Sequence, residues 1–301
     1  MPAKKSALWS SISNYLLYTQ PYSDHMTSIR PMQTTDIPFG MHLVQQAGWN
    51  QLETDWQRAL ALHPGGCFLA EHNGNPAGTV TTCVFGSVAW IAMMLVDTAA
   101  RGQGVGKSLM EHAMSHLDHL GVATQRLDAT DLGKPLYEKL GFAAEYEVVR
   151  LKGIAKPTAE ADATRWTHDT RDQPILDLDS RVTGGQRGAF LHALAENNAF
   201  FHSIFDDELA YAGSRKGRNA IQLGPAVAST PEAGRQLCDA LLAHFSGMPV
   251  FMDIPVPNKP ALRWAKAHGL EEQRRFTRMY RGEKPVDHPE MIWASSGPEK
   301  G

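Results

Sequence analysis

The sequence predicts an α/β (α+β) chain made of two domains of one fold in tandem, and three observations predict it. From Ser28 to Gly153 the segments run strand, helices, three strands, helix, strand, helix, strand, within the size of one domain. Residues 154–178 are polar, carry Pro157 and Pro174, lack sustained periodicity and read as a linker. Beyond the linker the first pattern returns. "DATDLGKPLYEKLGFAAEYEVVRLKG" from Asp128 and "DIPVPNKPALRWAKAHGLEEQRRFTRMYRG" from Asp253 each give Asp, Lys-Pro, a helix ending at Gly, and a strand closed by a basic-Gly pair. Upstream, "LVDTAARGQGVGKSLMEHAMSHL" corresponds to "AVASTPEAGRQLCDALLAHF". The expected division is an extension at 1–26, a first domain at 27–153, the linker at 154–178, a second domain at 179–284 and a tail at 285–301.

Each element has a local reason. "SIRPM" is a first strand, and the helical segment that follows is capped at Thr35 or Asp36 and interrupted by Trp49 and Asn50. "GCFLAEHNGNPAGTVTTCVFG" reads as two strands around an Asn73-Gly74-Asn75 turn. "VAWIAMMLVD" is continuously apolar, as a strand covered on both faces must be. In the helix from Gly104, Val105, Leu109, Ala113 and Leu117 step by four, with Met110 and Met114 widening the stripe. "VATQRLDAT" is the next strand, "KPLYEKLGF" a short helix with Pro135 near its start and Gly141 past its end, and "AEYEVVRLKG" the closing strand.

Composition narrows the function. Over 301 residues, 43% hydrophobic and 20% charged residues suffice for a buried core. A net charge of -3 lacks the basic footprint of a nucleic-acid binder. No apolar run reaches the length of a membrane span. The start has two lysines and a mildly apolar patch, but Ser and Asn break the patch and no small-residue cleavage site follows, so it reads as an extension with Met26 as an alternative start. Three widely spaced cysteines, Cys67, Cys83 and Cys238, argue against a disulfide framework and for a cytoplasmic protein.

The chemistry centres on "RGQGVGKSLMEHA" from Arg101. A nucleotide P-loop would need glycine where Arg101 stands, and a dinucleotide fingerprint would need it at Lys107 or Leu109. The pattern that fits is Arg-x-x-Gly-x-Gly: Arg101, Gly104 and Gly106 between a buried strand and a helix. Unpaired amides at a helix start attract anions, and glycine lets the backbone close on a pyrophosphate. A glycine-rich turn of no function is the plain alternative for the glycines alone.

Together with "MMLVD" before the loop and "LYEKLGF" about thirty residues after it, this stretch resembles the GNAT superfamily of N-acetyltransferases. The resemblance covers Ser28 to Gly153, and the second half resembles a divergent GNAT domain of the kind appended in some tandem bacterial members. It implies two domains, each a mixed, mostly antiparallel sheet flanked by helices, with acetyl-CoA as co-substrate and neither ATP nor NAD. Arg101, Gly102, Gln103, Gly104, Val105, Gly106 and Lys107 would hold the pyrophosphate. Leu95 and Val96 would pair with the pantetheine arm, and a backbone N–H there would polarise the thioester carbonyl. Tyr137 would be the general acid for the departing thiolate, against a packing role between helix and sheet. The family's asparagine before the tyrosine helix is missing, and Thr130 or Asp131 occupies its place.

The remaining roles are less sharply marked. Asp128 is the nearest base candidate, with Glu71 or a water chain behind it, although its recurrence as Asp253 favours a structural role. Trp49 and Asn50 are expected at the acceptor, with Trp56 in the core. In the second half Glu232 stands for Arg101, Arg235 and Leu237 replace Gly104 and Gly106, Ala265 falls at the Tyr137 position and Asn258 is retained. That half is expected to have lost acetyl-CoA and to close the acceptor cleft, with Arg215, Lys216 and Arg218 available to an acidic acceptor group or simply solvated. His112, His116 and His119 share a helix face, but the outer two are roughly 10 Å apart along the axis, so no metal site is expected. The leading reading is an enzyme that moves acetyl from acetyl-CoA to a primary amine by direct attack in a ternary complex. A small-molecule amine is the first choice of acceptor and a protein lysine or N-terminus the second, in a monomer or homodimer. A non-catalytic acyl-CoA sensor is the alternative, and a P-loop hydrolase a third.

Overall fold

The computed structural model describes residues 27–156 and 173–297, apart from 197, 199, 206 and 207. The extension 1–26, the alternative start at Met26 and most of the linker lie outside the described residues.

The first half follows the predicted order: β1 (Thr27–Pro31), α1 (Ile37–Ala47), α2 (Glu53–Leu62), β2 (Cys67–His72), β3 (Asn75–Phe85), β4 (Val88–Val96), α3 (Val105–His119), β5 (Thr124–Ala129), α4 (Lys134–Lys139) and β6 (Ala143–Ile154). The long helical segment divides at Gly48, which takes φ 65° beyond the reach of most side chains. The second half comprises α5 (Gln173–Thr183), α6 (Gly188–Ala195), β7 (Phe200–Phe205), β8 (Glu208–Arg215), β9 (Ile221–Ala228), α7 (Pro231–His244), β10 (Pro249–Pro255), α8 (Lys259–Ala267), β11 (Glu271–Gly282) and β12 (Ile292–Ala294). Helix α5 begins inside the expected linker, because Ile175, Leu178 and Val182 recur at helical spacing and are buried.

Both halves are mixed, mostly antiparallel sheets flanked by helices, as predicted, but they are continuous. Among the described residues twelve strands form one sheet in the order β1-β2-β3-β4-β5-β11-β6-β10-β9-β8-β7, with β12 on β9. The closing strands are exchanged. β11 of the second half inserts between β5 and β6 of the first, and β6 reaches β10 on its other edge. Each half completes the other's sheet, so neither is left with an open inner edge.

Helices cover both faces. In the first half α3 and α4 pack on one face through Leu109, Leu117 and Tyr137, while α1 and α2 cover the other through Leu43, Val44 and Trp56. In the second half α7 and α8 face one side through Leu237 and Trp264, and α5 and α6 the other through Ile175 and Phe190. This two-sided cover is the reason β4 is apolar at every position.

The strand pairs β4/β5 and β9/β10 differ from the rest of the sheet. They are the parallel pairs of the sheet, and each is joined over a short stretch only. β4 meets β5 from Val88 to Trp90, and β9 meets β10 from Ile221 to Leu223. Beyond those residues the strands diverge, leaving one fork per half.

Candidate active site

The fork in the first half is open. The β3–β4 ladder slips register between Thr79 and Thr81, and Met93 on β4 takes φ 50°, a costly conformation for that residue. The Thr79 hydroxyl steadies it by donating to the Met93 carbonyl at 3.0 Å. The end of β4 then runs beside a cleft of about 660 Å³.

That cleft brings together most of the residues expected from the sequence. Leu95 and Val96 form its strand wall, Arg101, Gly102, Gly104, Val105, Gly106 and Lys107 its loop, and Trp49 and Tyr137 its far side. Gly104 is the N-cap of α3 at φ 83° and has no side chain with which to cap it. The first amides of α3 are left facing the cleft, where the helix dipole adds to their pull on an anion. Arg101 folds against the end of the strand, its Nε donating to the Val96 carbonyl at 3.3 Å. Lys107 lies 3.5 Å from Glu111 on an exposed surface, a pairing weak enough to yield to a phosphate. Gln103 is the exception: its side-chain amide donates to the Ala99 carbonyl at 2.9 Å and it does not line the cleft.

Tyr137 is 8% exposed, and burial pushes its phenol up to about 12. Its ring lies so close to Gly133 that a Cβ there would come within 2.9 Å of it. Thr130 lines the cleft beside it, in the place where the family's asparagine is missing, whereas Asp131 does not.

A second, narrower cavity adjoins the first, and Trp49, Met94, Thr130 and Tyr137 line both. Its deeper wall includes Ile91 and Leu127 from the fork, with Arg150, Arg274 and Phe276 from the exchanged strands β6 and β11. The sequence pointed to none of these three. They reach the cavity through pairing between the halves, which no local pattern records.

Several expected site residues have other work. Asp128 lines this cavity, but its two oxygens accept from Arg278 at 2.9 Å each and its side chain is 1% exposed. Glu71 is held by Arg30 at 2.9 Å and lines neither cavity. Asn50 is buried. Its amide donates to the Ala220 carbonyl at 3.0 Å and its oxygen accepts from Asn219 and Ala220, so it locks the halves together. Arg215 is buried against Asp55 at 3.2 Å, and Arg218 gives its backbone N–H to the Asn50 carbonyl. The Arg215 side chain therefore belongs to the interface between the halves, while Lys216 and Arg218 are exposed. His112 and His116 pack their rings on Phe68.

The second fork is filled by the chain itself. In the expected tail, β12 pairs with β9 at Ile292 and Ala294, and Ser295 bridges to Asp253 on β10. Trp293 lies over the start of α7, where a Cβ on Gly234 would meet its indole at 2.0 Å. Thr230 caps that helix by accepting from Ala233 N–H at 3.2 Å. Cap against cap, Thr230 and not Arg235 is the counterpart of Gly104, so Glu232, Arg235 and Leu237 lie within α7 rather than in a loop. The retained Asn258 donates to the Ile292 carbonyl at 2.9 Å and so holds the tail. Ala265 is core.

Sequence comparisons agree with this architecture. The Acetyltransferase (GNAT) family matches residues 32–142, and an Acetyltransferase (GNAT) domain matches residues 175–294. The chain is 27% identical over 264 residues to the holothin acyltransferase of Pseudoalteromonas sp. (strain SANK 73390), spanning 84% of this chain and 87% of that protein. It is 31% identical over 126 residues to the [Ribosomal protein bS18]-alanine N-acetyltransferase of Escherichia coli (strain K12), which covers 39% of this chain and 81% of that enzyme. A solved structure from Pyrococcus horikoshii shares the fold across 97% of this chain and 100% of its own, with a TM-score of 0.80 at 22% identity. With its open fork beside a glycine-capped helix and its second domain in tandem, the chain belongs to the GNAT family of N-acetyltransferases.

Proposed function

We propose that the first half transfers acetyl from acetyl-CoA to a primary amine by direct attack in a ternary complex, with the second half completing the acceptor cavity. The observation that carries this is the wall shared by the two cavities, where Tyr137 and Trp49 face both. A donor in the larger cleft and an amine in the smaller one would meet at that wall without a covalent enzyme intermediate.

The larger cleft suits acetyl-CoA. An uncapped helix start with Arg101 and Lys107 nearby is the setting for a pyrophosphate, and the freed edge of β4 at Leu95 and Val96 offers backbone to the pantetheine amides. The donor supplies the thioester, and the protein's part is to hold, polarise and protonate. A backbone N–H at the end of β4, by Leu95 and Val96, would polarise the thioester carbonyl and stabilise the charge growing on its oxygen. Tyr137 stays protonated through the neutral range because of its burial, and so remains a donor to sulfur as the thiolate leaves. The ammonium proton passes to water, since Asp128 and Glu71 are both engaged by arginines.

The test is thiol release from acetyl-CoA across a panel of amines, with product mass confirming one added acetyl. Thiol release with no change in the mass of the amine, as thioester hydrolysis to acetate would give, or no release with any amine, sinks the proposal.

A further inference from the structure

The cavity on the acceptor side carries an arginine that forms no ion pair among the described residues. Arg274 on β11 lines that cavity and does not line the pyrophosphate cleft. It sits directly across the ladder from Arg150 of β6. Arg150 is answered by Asp253, whose two oxygens accept from its Nε and Nη2 at 2.7 Å each. Arg278, two residues further along the same face of β11 beyond Phe276, is answered by Asp128. Arg274 has only the Phe276 ring, 5.9 Å from its guanidinium carbon, and among the described residues no carboxylate pairs with it.

This is an uncommon place for an unanswered guanidinium. The side chain is half-buried, and its burial and the like charge of Arg150 lower its pKa from the usual arginine value, with Asp253 offsetting part of that. Arginine stays charged at neutral pH regardless. With Arg150–Asp253 and Arg278–Asp128 each neutral, the cavity holds one net positive charge, presented as a planar fork of donors.

We propose that Arg274 is a specificity residue of the acceptor site, pairing with a carboxylate on the incoming amine, so that the preferred acceptors are amino-acid-like molecules with an anionic group beside the reacting amine. This rests on the assignment of the smaller cavity to the acceptor. It gives the second half a direct part in substrate choice, since Arg274 belongs to the half whose own fork is plugged. The carboxylate would displace water from the fork of Arg274 and leave the amine directed at the wall formed by Trp49 and Tyr137.

The experiment compares matched probes that differ by one carboxylate: γ-aminobutyrate against n-butylamine, and L-lysine and L-tyrosine against cadaverine and tyramine. Binding to the full chain in the presence of CoA is read by calorimetry, and turnover by thiol release. For the wild type, the carboxylate member of a pair is expected to bind more tightly. Arg274→Gln is expected to weaken that binding roughly 10- to 100-fold while leaving the amine-only probe and the KM for acetyl-CoA in place, and Arg274→Lys to restore part of it. Equal binding of both members by wild type, or a preference unchanged in Arg274→Gln, overturns the role of Arg274. Binding is read without turnover, so loss of all acetyl transfer counts against the proposed reaction and leaves the carboxylate preference to be judged on its own.

Discussion

Arg278 of the second half and Asp128 of the first face each other across the β11–β5 ladder and form two hydrogen bonds of 2.9 Å, both side chains 1% exposed. Across β6 and β10, Arg150 of the first half and Asp253 of the second repeat the arrangement at 2.7 Å. The strand exchange is thus pinned by two buried arginine–aspartate pairs, each with one member from each half. A buried ion pair stabilises little relative to an apolar pair, but removing one partner strands the other charge.

Asp128→Asn is therefore expected to lower stability by about 3–5 kcal/mol, read from urea unfolding. Adding Arg278→Met should recover much of the loss, since the stranded cation goes with it. The thiol-release rate per folded molecule should persist in Asp128→Asn. A thousandfold fall in that rate in fully folded protein would instead make Asp128 the base.

Tyr137→Phe separates chemistry from binding. The ring is packed against Gly133 and stands 6.2 Å from Phe142, so the variant keeps the shape and loses only the hydroxyl. A fall in kcat of about 10²-fold or more is expected, with the KM for acetyl-CoA little changed. With the phenol pushed up to about 12, wild-type kcat should show no loss assignable to Tyr137 between pH 7 and 10. An alkaline limb within that window that vanishes in Tyr137→Phe would contradict the burial argument.

How far the sequence reaches can be judged from these residues. Gly104, Arg101 and Tyr137 were legible because a turn, a helix start and a short helix are local and their spacing is written along the chain. Asp128 and Asp253 were visible as a repeat, but not their partners, since Arg278 and Arg150 arrive from the other half by strand pairing some 100–150 residues away. Asn50 misled for a related reason: a polar residue in a helix break looks like a surface contact until the loop at Ala220 closes over it. The three-residue β12 has no periodicity to find, and its place is set by its pairing with β9 in the fork that it fills.

The plugged fork predicts one donor site per chain. Calorimetry with CoA should give a stoichiometry of one, and Gly104→Val should abolish it, because φ 83° excludes a branched side chain and the start of α3 would have to rebuild. Trp293→Ala should not create a second site. It empties space in the second-half core, where Trp293 is 2% exposed, and is expected to cost about 3–5 kcal/mol. A stoichiometry of two, in either protein, would show that the second fork still takes the donor.

The histidines of α3 give a pH signature of their own. His63 packs against His116 with ring centroids 5.2 Å apart and the planes tilted by 41°, and both have pKa values lowered from 6.5, first by burial and for His116 also by the neighbouring histidines. A depressed histidine pKa favours the neutral folded state. The stabilisation is present above 6.5, and as pH falls below that value the unfolded chain takes up protons that the folded chain resists. Urea midpoints should drop between pH 7 and 5, and His116→Leu should flatten the drop, since it removes one of the two rings and relieves the charge on the other. A midpoint that rises on acidification, or a slope unaffected by His116→Leu, would show that this pair does not govern the acid response.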